Sequence, residues 1–534
     1  MTHIQTRSAV LDSAHVGDIH GAMGTIRVGD TEARTTWRAR LATLLAIIGP
    51  GIIVMVGDND AGAFATYTQA GQNYGTSLLW TLLLLVPVLY VNQEMVLRLG
   101  AVTGVGHARL ILERFGRFWG AFSVIDLFIL NGLTIVTEFI GISLALDYLG
   151  VSKILGVVVA AVLTMVAATT GDFRRFERFA LMLCLGSLML VPIVLAVHVA
   201  PGQIAHDLFV PNLPEGRLSD ILLLIIGIVG TTVAPWQLFF QQSYVIDKRI
   251  TPHFMGYEKA DLWLGIVVVM IGAIAMIVFC AATFAGRPEF GNFTDAGGVA
   301  SALSRYVSPT MGVLFAIALI DAAIIGASAV SLATAYAVSD VLRMKHSLHR
   351  KASDAKGFYL LYGGVILVAA GIVLLPHAPL GLITLAVQTL AGVLLPSATV
   401  FLLLLCNDAQ VLGPWANGRW LNLFTGAVVS VLVMLSIILT ASVLYPEISD
   451  AQILWILGGG TVLFGCGGVA TLLAGGKAVV RPVADRRGWR MPPLETLTKV
   501  PFSLSTRVWM GVLRGYLVVA VGMVVVRIVQ LAWG

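Results

Sequence analysis

Charged residues are scarce in this chain: Asp, Glu, Lys and Arg make up only 12% of its 534 residues, whereas 57% are apolar. Soluble globular domains carry about 25% charged residues, so the composition excludes an ordinary water-soluble protein of this length. The mean hydropathy of +0.89 leads to the same conclusion, because so much apolar surface cannot be buried in a soluble core. We therefore expect lipid to surround most of the chain.

Cysteines, basic tracts and a leader segment are also rare or absent. The four cysteines lie singly in apolar stretches without zinc-ligand spacing, so we expect small buried side chains rather than a metal centre or a disulfide framework. Lys and Arg number 34 but form no basic tract, which argues against a nucleic-acid partner. Residues 1–40 are polar and contain no apolar leader, so we expect the first span to be retained.

Long apolar runs, by contrast, follow one another from Leu41 almost to the last residue. Because a membrane-crossing helix needs about 20 mostly apolar residues, these runs predict about 11–13 transmembrane helices. The run 508–532 is either a last span or a helix lying along the membrane interface, since Arg514 and Arg527 lie near its ends. The other predicted spans are 41–72 and 219–245, both interrupted, and 77–98, 118–148, 152–170, 178–199, 261–286, 309–341, 357–376, 381–406, 418–444 and 452–475.

Lys and Arg concentrate in alternate loops between these spans, as they do in cytoplasmic loops of membrane proteins. The intervening loops, such as 200–218 and 446–451, are poor in basic residues. We therefore predict a multi-pass protein of the plasma (inner) membrane with a cytoplasmic N-terminus. The basic segments lie at 27–40, 98–117, 174–178, 248–249, 343–356, 419 and 477–490.

Acidic residues interrupt the first apolar span. The segment GPGIIVMV is followed by GDNDAGAFATYTQAG, which places Asp58 and Asp60 at the depth of the hydrocarbon. A carboxylate there is costly and normally faces a protein interior or a wet cavity, so it indicates a functional site. Gly57 and Gly62 favour local unwinding, which makes backbone carbonyls available as cation ligands. The alternative is an ordinary loop between two short segments.

Proline interrupts the sixth span in a comparable way. DILLLIIGIVG is followed by TTVAPWQLFFQQSYVIDK, in which Pro235 removes a backbone donor inside an apolar run. A simple proline kink would also explain this pattern. Breaks in both the first and the sixth span, however, are typical of transporters built from inverted five-helix repeats, with a cation site near the middle of the membrane.

These segments resemble the Nramp family of divalent-metal transporters. GPGIIVMVGDNDAGAFATYTQAGQNYG is similar to the family's first span, which contains a D-P-G-N motif, and GTTVAPWQLFFQQS to its sixth, which contains M-P-H. NGLTIVTEFIGISLAL and VQTLAGVLLPSATVFLLL resemble the third and tenth spans, so the resemblance covers residues 41–408. It implies an all-α membrane protein with LeuT-like inverted repeats that moves its metal as cargo, without enzymatic activity, cofactor or obligate protein partner.

The differences from the family pattern lie at the positions that bind the metal. Asp60 keeps the family's aspartate, but Ala61 replaces its proline and Ala63 its coordinating asparagine. In the sixth span, Ala234 replaces the methionine and Trp236 the histidine. A thioether favours soft transition metals, so its loss predicts a preference for Mg²⁺ or Mn²⁺. The pattern is most similar to the magnesium-transporting branch of the family, and Mg²⁺ usually keeps several waters.

The predicted metal site consists of oxygen donors and of the positions that lost their ligands. Gln388 lies eight residues before Pro396, at a matched position where the family has a polar ligand; a hydrogen bond between helices is the equally favoured alternative for this glutamine. The members of the predicted site are Asp58, Asp60, Gln237, Gln388, the backbone near Gly57 and Thr231, and the vacated positions Ala63 and Ala234.

A proton path is the second element that the resemblance addresses. Proton-coupled members use the sixth-span histidine and an aspartate three residues before the third-span glutamate. Trp236 and Ile135 occupy those positions here, so Glu138 alone remains and we expect no proton coupling. A structural role for Glu138, as a buried acid bonded to a neighbouring helix, stays open.

Three other functions compete with a magnesium-permeable transporter: a proton-coupled Mn²⁺/Fe²⁺ symporter, a channel, and a membrane-embedded hydrolase that would use an intramembrane acid. The sequence contains no H-E-x-x-H motif or phosphate-binding glycine loop, which disfavours the hydrolase. The roles of Asp126 and Asp321 stay open. The predicted organisation is a cytoplasmic tail at 1–40, a core at 41–408 with repeats 41–199 and 219–406, further helices at 409–475, a basic cytoplasmic linker at 476–507, and the ambiguous segment 508–534.

Overall fold

The fold is almost entirely helical, as predicted. A computed structural model describes residues 9–197, 199–375, 380–445, 448–473 and 486–498, and four isolated positions after residue 510. The helices of the first half are α1 (Trp37–Ile47), α2 (Pro50–Val56), α3 (Ala61–Tyr74), α4 (Leu79–Thr103), α5 (His107–Phe115), α6 (Arg117–Tyr148), α7 (Lys153–Ala168), α8 (Phe173–Cys184), α9 (Leu190–Ala196) and α10 (Pro201–Phe209).

The second half continues with helices of similar length. They are α11 (Leu218–Thr232), α12 (Pro235–Asp247), α13 (Met255–Phe284), α14 (Ala296–Tyr306), α15 (Pro309–Leu342), α16 (Lys356–Val373), α17 (Leu380–Cys406), α18 (Ala409–Leu412), α19 (Arg419–Leu444) and α20 (Asp450–Leu473). Two short strands, β1 (Ile19–Gly21) and β2 (Gly24–Ile26), form an antiparallel hairpin before α1.

Most predicted spans correspond to one helix or one broken pair. Among the described residues, eight helices are long and apolar enough to cross a membrane, or up to ten if two bent helix pairs each count as one span. This count of up to ten is lower than the 11–13 predicted from the sequence; it leaves out the shorter apolar helix α7, of 16 residues. All but four isolated positions of the predicted span 508–532 lie outside the described residues.

Several local features differ from the expected pattern. The span expected at 178–199 is divided into α8 and α9 by a 3₁₀ segment at Leu185–Met189. Cys184, Cys280 and Cys406 are buried as expected, but Cys466 is exposed, because it lies on the outer face of α20. The polar tail 1–40 is folded from residue 9 onward and includes the hairpin.

The two halves of the first span are positioned by close packing against α13. Gly51 of α2 lies directly against Leu262 of α13: a β-carbon on residue 51 would be 2.5 Å from the backbone nitrogen of Leu262. On α13, a β-carbon at Gly265 would lie 2.7 Å from the carbonyl oxygen of Gly51. Small residues permit this approach of two backbones in a membrane, where packing rather than water exclusion holds helices together. The long helices α6 and α15 pack on the other side of α3.

Candidate metal site

The first interruption lies between α2 and α3. Helix α2 ends at Val56, and Asp60 caps the start of α3 with extended backbone, its Oδ1 accepting a hydrogen bond of 2.8 Å from the backbone nitrogen of Ala63. An aspartate at this position satisfies one of the free N–H groups of the helix start. The backbone of the break is therefore held by the side chain that the sequence singled out.

The second interruption lies between α11 and α12. Helix α11 ends at Thr232, Ala234 is extended, and Pro235 is the first residue of α12. Proline is tolerated at this position because the first N–H of a helix has no intrahelical partner. In an unbroken helix, residue 235 would donate its N–H to the carbonyl of Thr231. Since proline has no N–H, that carbonyl loses its helical donor.

The first break releases a carbonyl in the same way. In an unbroken helix, the N–H of Ala61 would bond the carbonyl of Gly57. It instead donates to Oε2 of Glu138 in α6, at 3.1 Å. The carbonyls of Gly57 and Thr231, both predicted as ligands, thus lose their helical donors for two different chemical reasons.

The two breaks face each other in the folded protein. A β-carbon at Gly57 would lie 3.7 Å from the indole of Trp236, so the start of α12 contacts the end of α2. The side chain of Gln237 lies beside the Asp58 carboxyl. Its Oε1 accepts a 3.0 Å hydrogen bond from Nε2 of Gln93. The predicted residues of both spans therefore meet at one junction, which we call the break junction (residues 57–63 and 231–237).

Helix α17 adds Gln388 to the break junction. A β-carbon placed on Gly62 would overlap Nε2 of Gln388, so the amide lies directly against the start of α3. On the opposite side, a β-carbon on Gly230 would lie 2.7 Å from the carbonyl oxygen of Gln388. The side chain and the backbone of residue 388 are therefore both close to the two broken spans.

Burial leaves several polar atoms of the break junction without a partner. Asp58 and Glu138 are fully buried, and Asp60 is 3% exposed. Among the described residues, both oxygens of Asp58 and Oε1 of Glu138 have no hydrogen-bond partner. Buried polar groups are normally paired, so unpaired carboxylates here indicate space for a cation, a proton or water. The hydroxyl of Thr231 and Nε2 of Gln237 are unpaired as well.

The donor set is poor in strong metal ligands. The described residues contain no group of three or more His, Cys, Asp or Glu side chains arranged to hold a metal ion. At the break junction, carboxylates are joined by amides and backbone carbonyls, and Ala63 and Ala234 offer no ligand atom in their side chains. The carboxylates and backbone carbonyls offer oxygen donors, which suit hard cations such as Mg²⁺, Ca²⁺ and Mn²⁺.

Sequence reasoning missed some residues that contact the break junction, and it left the roles of Asp126 and Asp321 open. The hydroxyl of Tyr67 forms a 2.7 Å hydrogen bond with the hydroxyl of Thr232 and so connects the two spans. Gln93 of α4 donates a hydrogen bond to Gln237. Its position as a polar residue inside the apolar run of α4 was the sequence signal that could have identified it. Asp126 accepts a 3.4 Å hydrogen bond from Ser397 and lines a cavity of about 10 Å³ together with Pro235 at the start of α12. Asp321 lies against Gly186 in the break of the fifth span.

Comparisons with known proteins agree with this architecture. Residues 51–442 match the family model described as natural resistance-associated macrophage protein-like, or Nramp. The divalent metal cation transporter MntH of Xylella fastidiosa (strain 9a5c) is 29% identical over 458 residues, which cover 82% of this chain and 92% of that protein. MntH of Burkholderia ambifaria is 26% identical, covering 75% and 89% respectively.

A solved structure shows the same fold. The manganese transporter of Eremococcus coleocola, in complex with an aromatic bis-isothiourea compound, superposes with a TM-score of 0.62 at 20% identity, covering 84% of this chain and 98% of that one. Fold and apolar helices thus define a multi-pass membrane protein with the architecture of that transporter. The extent of the family match places it further: the chain belongs to the Nramp family.

Proposed function

We propose that this protein carries divalent metal ions across the plasma (inner) membrane by alternating access, with partly hydrated Mg²⁺ as the preferred cargo and Mn²⁺ as a second. We also propose that it works without proton coupling. The relatives named above are transporters of divalent metal cations or of manganese by name, which supports the class of cargo. The observation that carries the preference for Mg²⁺ is the donor chemistry of the break junction.

The donors available to an ion are oxygen atoms of three kinds. Asp60 and Asp58 supply carboxylates, Gln237 and Gln388 supply amide oxygens, and the two interrupted backbones supply carbonyls near Gly57 and Thr231. Mg²⁺ prefers oxygen ligands and is commonly held by one or two carboxylates while it keeps several waters. The break junction has this composition and has no sulfur ligand at residue 234.

The vacated positions support retention of water. Alanine at residues 63 and 234 has less bulk than the asparagine and methionine of the family pattern and brings no ligand atom. A bare transition metal held by few protein ligands would be under-coordinated there, whereas a hydrated Mg²⁺ brings ligands of its own. The same alanines therefore disfavour tight Mn²⁺ binding without preventing its passage.

The absence of proton coupling is supported by the residues at the two proton-handling positions. Trp236 is 1% exposed, and its indole does not titrate. Ile135 is buried and apolar. Glu138 is the remaining acid, and one of its oxygens bonds the backbone of Ala61. Two of the three positions that the resemblance assigns to proton transfer therefore carry side chains that do not titrate.

Membrane potential can drive uptake in place of a proton gradient. Each elementary charge that crosses 100 mV gains about 2.3 kcal/mol, and a divalent ion gains about twice that. An inward-negative potential thus favours entry of Mg²⁺. This direction also suits the orientation that we propose from the basic loops, with the N-terminus in the cytoplasm.

The experiment is uptake by the purified full-length protein in liposomes, with a Mg²⁺ indicator and a pH dye in the lumen and a potassium-valinomycin gradient to set the voltage. We expect Mg²⁺ entry that competes with external Mn²⁺ and leaves luminal pH unchanged. Asp60→Asn should reduce uptake to the level of empty liposomes, because it removes the anionic charge at the break. Asp450→Asn, at the exposed start of α20, is the matched control.

Three outcomes would contradict the proposal. Failure of Mg²⁺ both to enter and to compete with Mn²⁺ would exclude the preference for Mg²⁺. Luminal acidification in fixed proportion to metal uptake would instead support the alternative, a proton-coupled Mn²⁺/Fe²⁺ symporter of the Nramp type. Single-ion conductance steps in a planar bilayer would favour a channel.

A further inference from the structure

The N-terminal segment before the first helix is unusually well anchored for a polar tail. We propose that residues 9–26, which we call the N-terminal strap, lock the cytoplasmic end of the transporter in a closed arrangement, so that the strap must move before an ion is released on that side. The inference rests on the proposed transport function. It follows from contacts of the strap with both halves of the molecule.

The strap binds the end of α12, which belongs to the second half. Arg249, just beyond α12, donates hydrogen bonds to the carbonyl oxygens of Ala14 (2.9 Å) and Asp18 (2.8 Å). Nε2 of His15 lies 3.5 Å from Oδ1 of Asp247, the last residue of α12. These contacts fix the cytoplasmic end of the half-helix that begins at the break junction.

The loop after α15 provides a second attachment in the same half. Asp12, which is 5% exposed, forms a bidentate ion pair with Arg350 and accepts a 2.9 Å hydrogen bond from the backbone nitrogen of His346. The rings of His15 and His346 are 5.1 Å apart. Paired Arg and carboxylate groups of this geometry give both strength and orientation.

The hairpin of the strap binds the first half. A β-carbon on Gly21 would overlap the carbonyl oxygen of Ala46, so β1 lies directly on the end of α1. In α8, Arg178 donates a 2.9 Å hydrogen bond to the carbonyl of Ala22, whose own nitrogen donates to Oε2 of Glu177. The strap therefore connects α1 and α8 with α12 and the loop after α15.

Glu177 joins the strap to the break that precedes α2. Its Oε1 pairs with Nζ of Lys248 at 2.6 Å, and both side chains are fully buried. The same ammonium donates to the carbonyls of Ile47 (2.6 Å) and Ile48 (2.8 Å), where the chain bends by 51° between α1 and α2. The Glu177 carboxylate thus binds the hairpin through Oε2. Through Oε1 it binds Lys248, which in turn binds the backbone just before α2.

This linkage defines a closed state with a mechanical consequence. Helices α2 and α12 run from the cytoplasmic end to the break junction, where Asp58 and Asp60 are buried. Alternating access requires the two halves to move against each other around the site. Such motion would stretch the strap between Glu177 on one side and Arg249 with Arg350 on the other. Release of the strap is therefore the expected condition for opening.

Reversible crosslinking tests whether the strap must move. In a Cys466→Ser background, His15→Cys with His346→Cys places two thiols where the strap meets the loop after α15. We expect disulfide formation to reduce Mg²⁺ uptake in liposomes by about tenfold and a reductant to restore it. The matched control is Asp18→Cys with Val28→Cys, which joins two residues of the N-terminal segment that are already in contact, at 2.8 Å. Full uptake by the crosslinked test pair, at the rate of its reduced form, would overturn the proposal.

A second measurement does not depend on transport. Gln241 is fully buried on α12, between the break junction and Lys248, and Gln241→Cys places a thiol at that position. Deletion of residues 2–26 should increase its labelling by a thiol reagent added on the cytoplasmic side about fivefold or more, because local opening sets the exposure of buried groups. Unchanged labelling would refute the strap. Absence of uptake by the uncrosslinked wild type would instead refute the proposed function, so the two failures are distinguishable.

Discussion

Glu138 takes the backbone hydrogen bond that Gly57 would receive in an unbroken helix: its Oε2 accepts the N–H of Ala61 at 3.1 Å. The glutamate thereby stabilises the start of α3 and frees a carbonyl at the break. A β-carbon on Gly326 of α15 would lie 2.9 Å from both Cβ of Asp60 and Oε2 of Glu138, so α15 holds the two acids side by side. Glu138 thus stabilises the start of α3 and lies beside Asp60, the carboxylate predicted to bind the metal.

This dual position predicts different effects for two substitutions of Glu138. Glutamine keeps an oxygen that accepts the N–H of Ala61, so Glu138→Gln should retain Mg²⁺ uptake within about threefold. Glu138→Ala leaves that buried N–H without an acceptor at a cost of about 1–3 kcal/mol and should lower uptake strongly. Liposome uptake and thermal unfolding measure both effects. If Glu138→Gln were as inactive as Glu138→Ala, the carboxylate itself would be needed, as in a proton-coupled mechanism.

The contact between Gly62 and Gln388 predicts a strong effect of a single methyl group. Gly62→Ala should displace the amide of Gln388 and reduce uptake by roughly tenfold or more, since small misplacements of binding groups are costly. Gly364→Ala, on α16, adds the same methyl group where no heavy atom lies within 4 Å, and should leave uptake unchanged. Equal activity of the two variants would show that Gln388 does not contribute to the ion site.

Restoring the ligands that the family pattern contains should change the selectivity. Ala234→Met combined with Ala63→Asn adds a thioether and an amide oxygen to the break junction, which favours softer, less hydrated ions. We expect tighter competition by Mn²⁺ and Cd²⁺ and weaker Mg²⁺ uptake. Ala234→Leu with Ala63→Leu adds comparable bulk without ligand atoms and serves as the control. An unchanged preference for Mg²⁺ in the Met/Asn variant would contradict the hydrated-ion explanation.

Three buried groups at the strap, His346, Asp12 and His15, predict how its attachment depends on pH. Burial opposes the charge on His346, but the carboxylate of Asp340 outweighs this effect and raises the histidine pKa from 6.5 to about 9. Burial likewise opposes the charge on Asp12, yet the hydrogen bonds from Arg350 and from nearby backbone lower its pKa. Burial also lowers the pKa of the neighbouring His15, which favours its neutral form.

The directions of these pKa shifts define the pH range in which the attachment of the strap is most stable. A raised histidine pKa stabilises the folded loop after α15, to which Asp12 of the strap is bound, below pH 6.5, and this contribution is lost as pH rises through about 9. A lowered aspartate pKa stabilises it above pH 3.8, and that contribution is lost on acidification. Hydrogen exchange of residues 9–26, corrected for intrinsic rates, should therefore be slow near pH 7 and faster above pH 9. His346→Gln should remove the alkaline change; if it persisted, another group would be responsible.

The sequence by itself determined that this protein lies in a membrane and where its first and sixth spans are interrupted. Long apolar runs with basic residues in alternate loops predict a multi-pass helical membrane protein, because hydropathy is a local property of each segment. Pro235 and the acids near Gly57 mark the interruptions for an equally local reason, since the missing N–H and the capping carboxylate act within one helical turn. The family resemblance was carried by the same segments, and the family match confirms it.

Tertiary structure decided which side chains meet at those breaks and what the tail does. Glu138 reaches Ala61 from 77 residues away, and Gln388 reaches Gly62 from another span. Such contacts depend on the rotation and close packing of helices, which the hydropathy of a segment does not specify. The polar composition of residues 1–40 likewise predicts a solvated tail. Only the folded chain brings Asp12 to Arg350 and Ala22 to Glu177, where charge pairing and burial convert the tail into a strap.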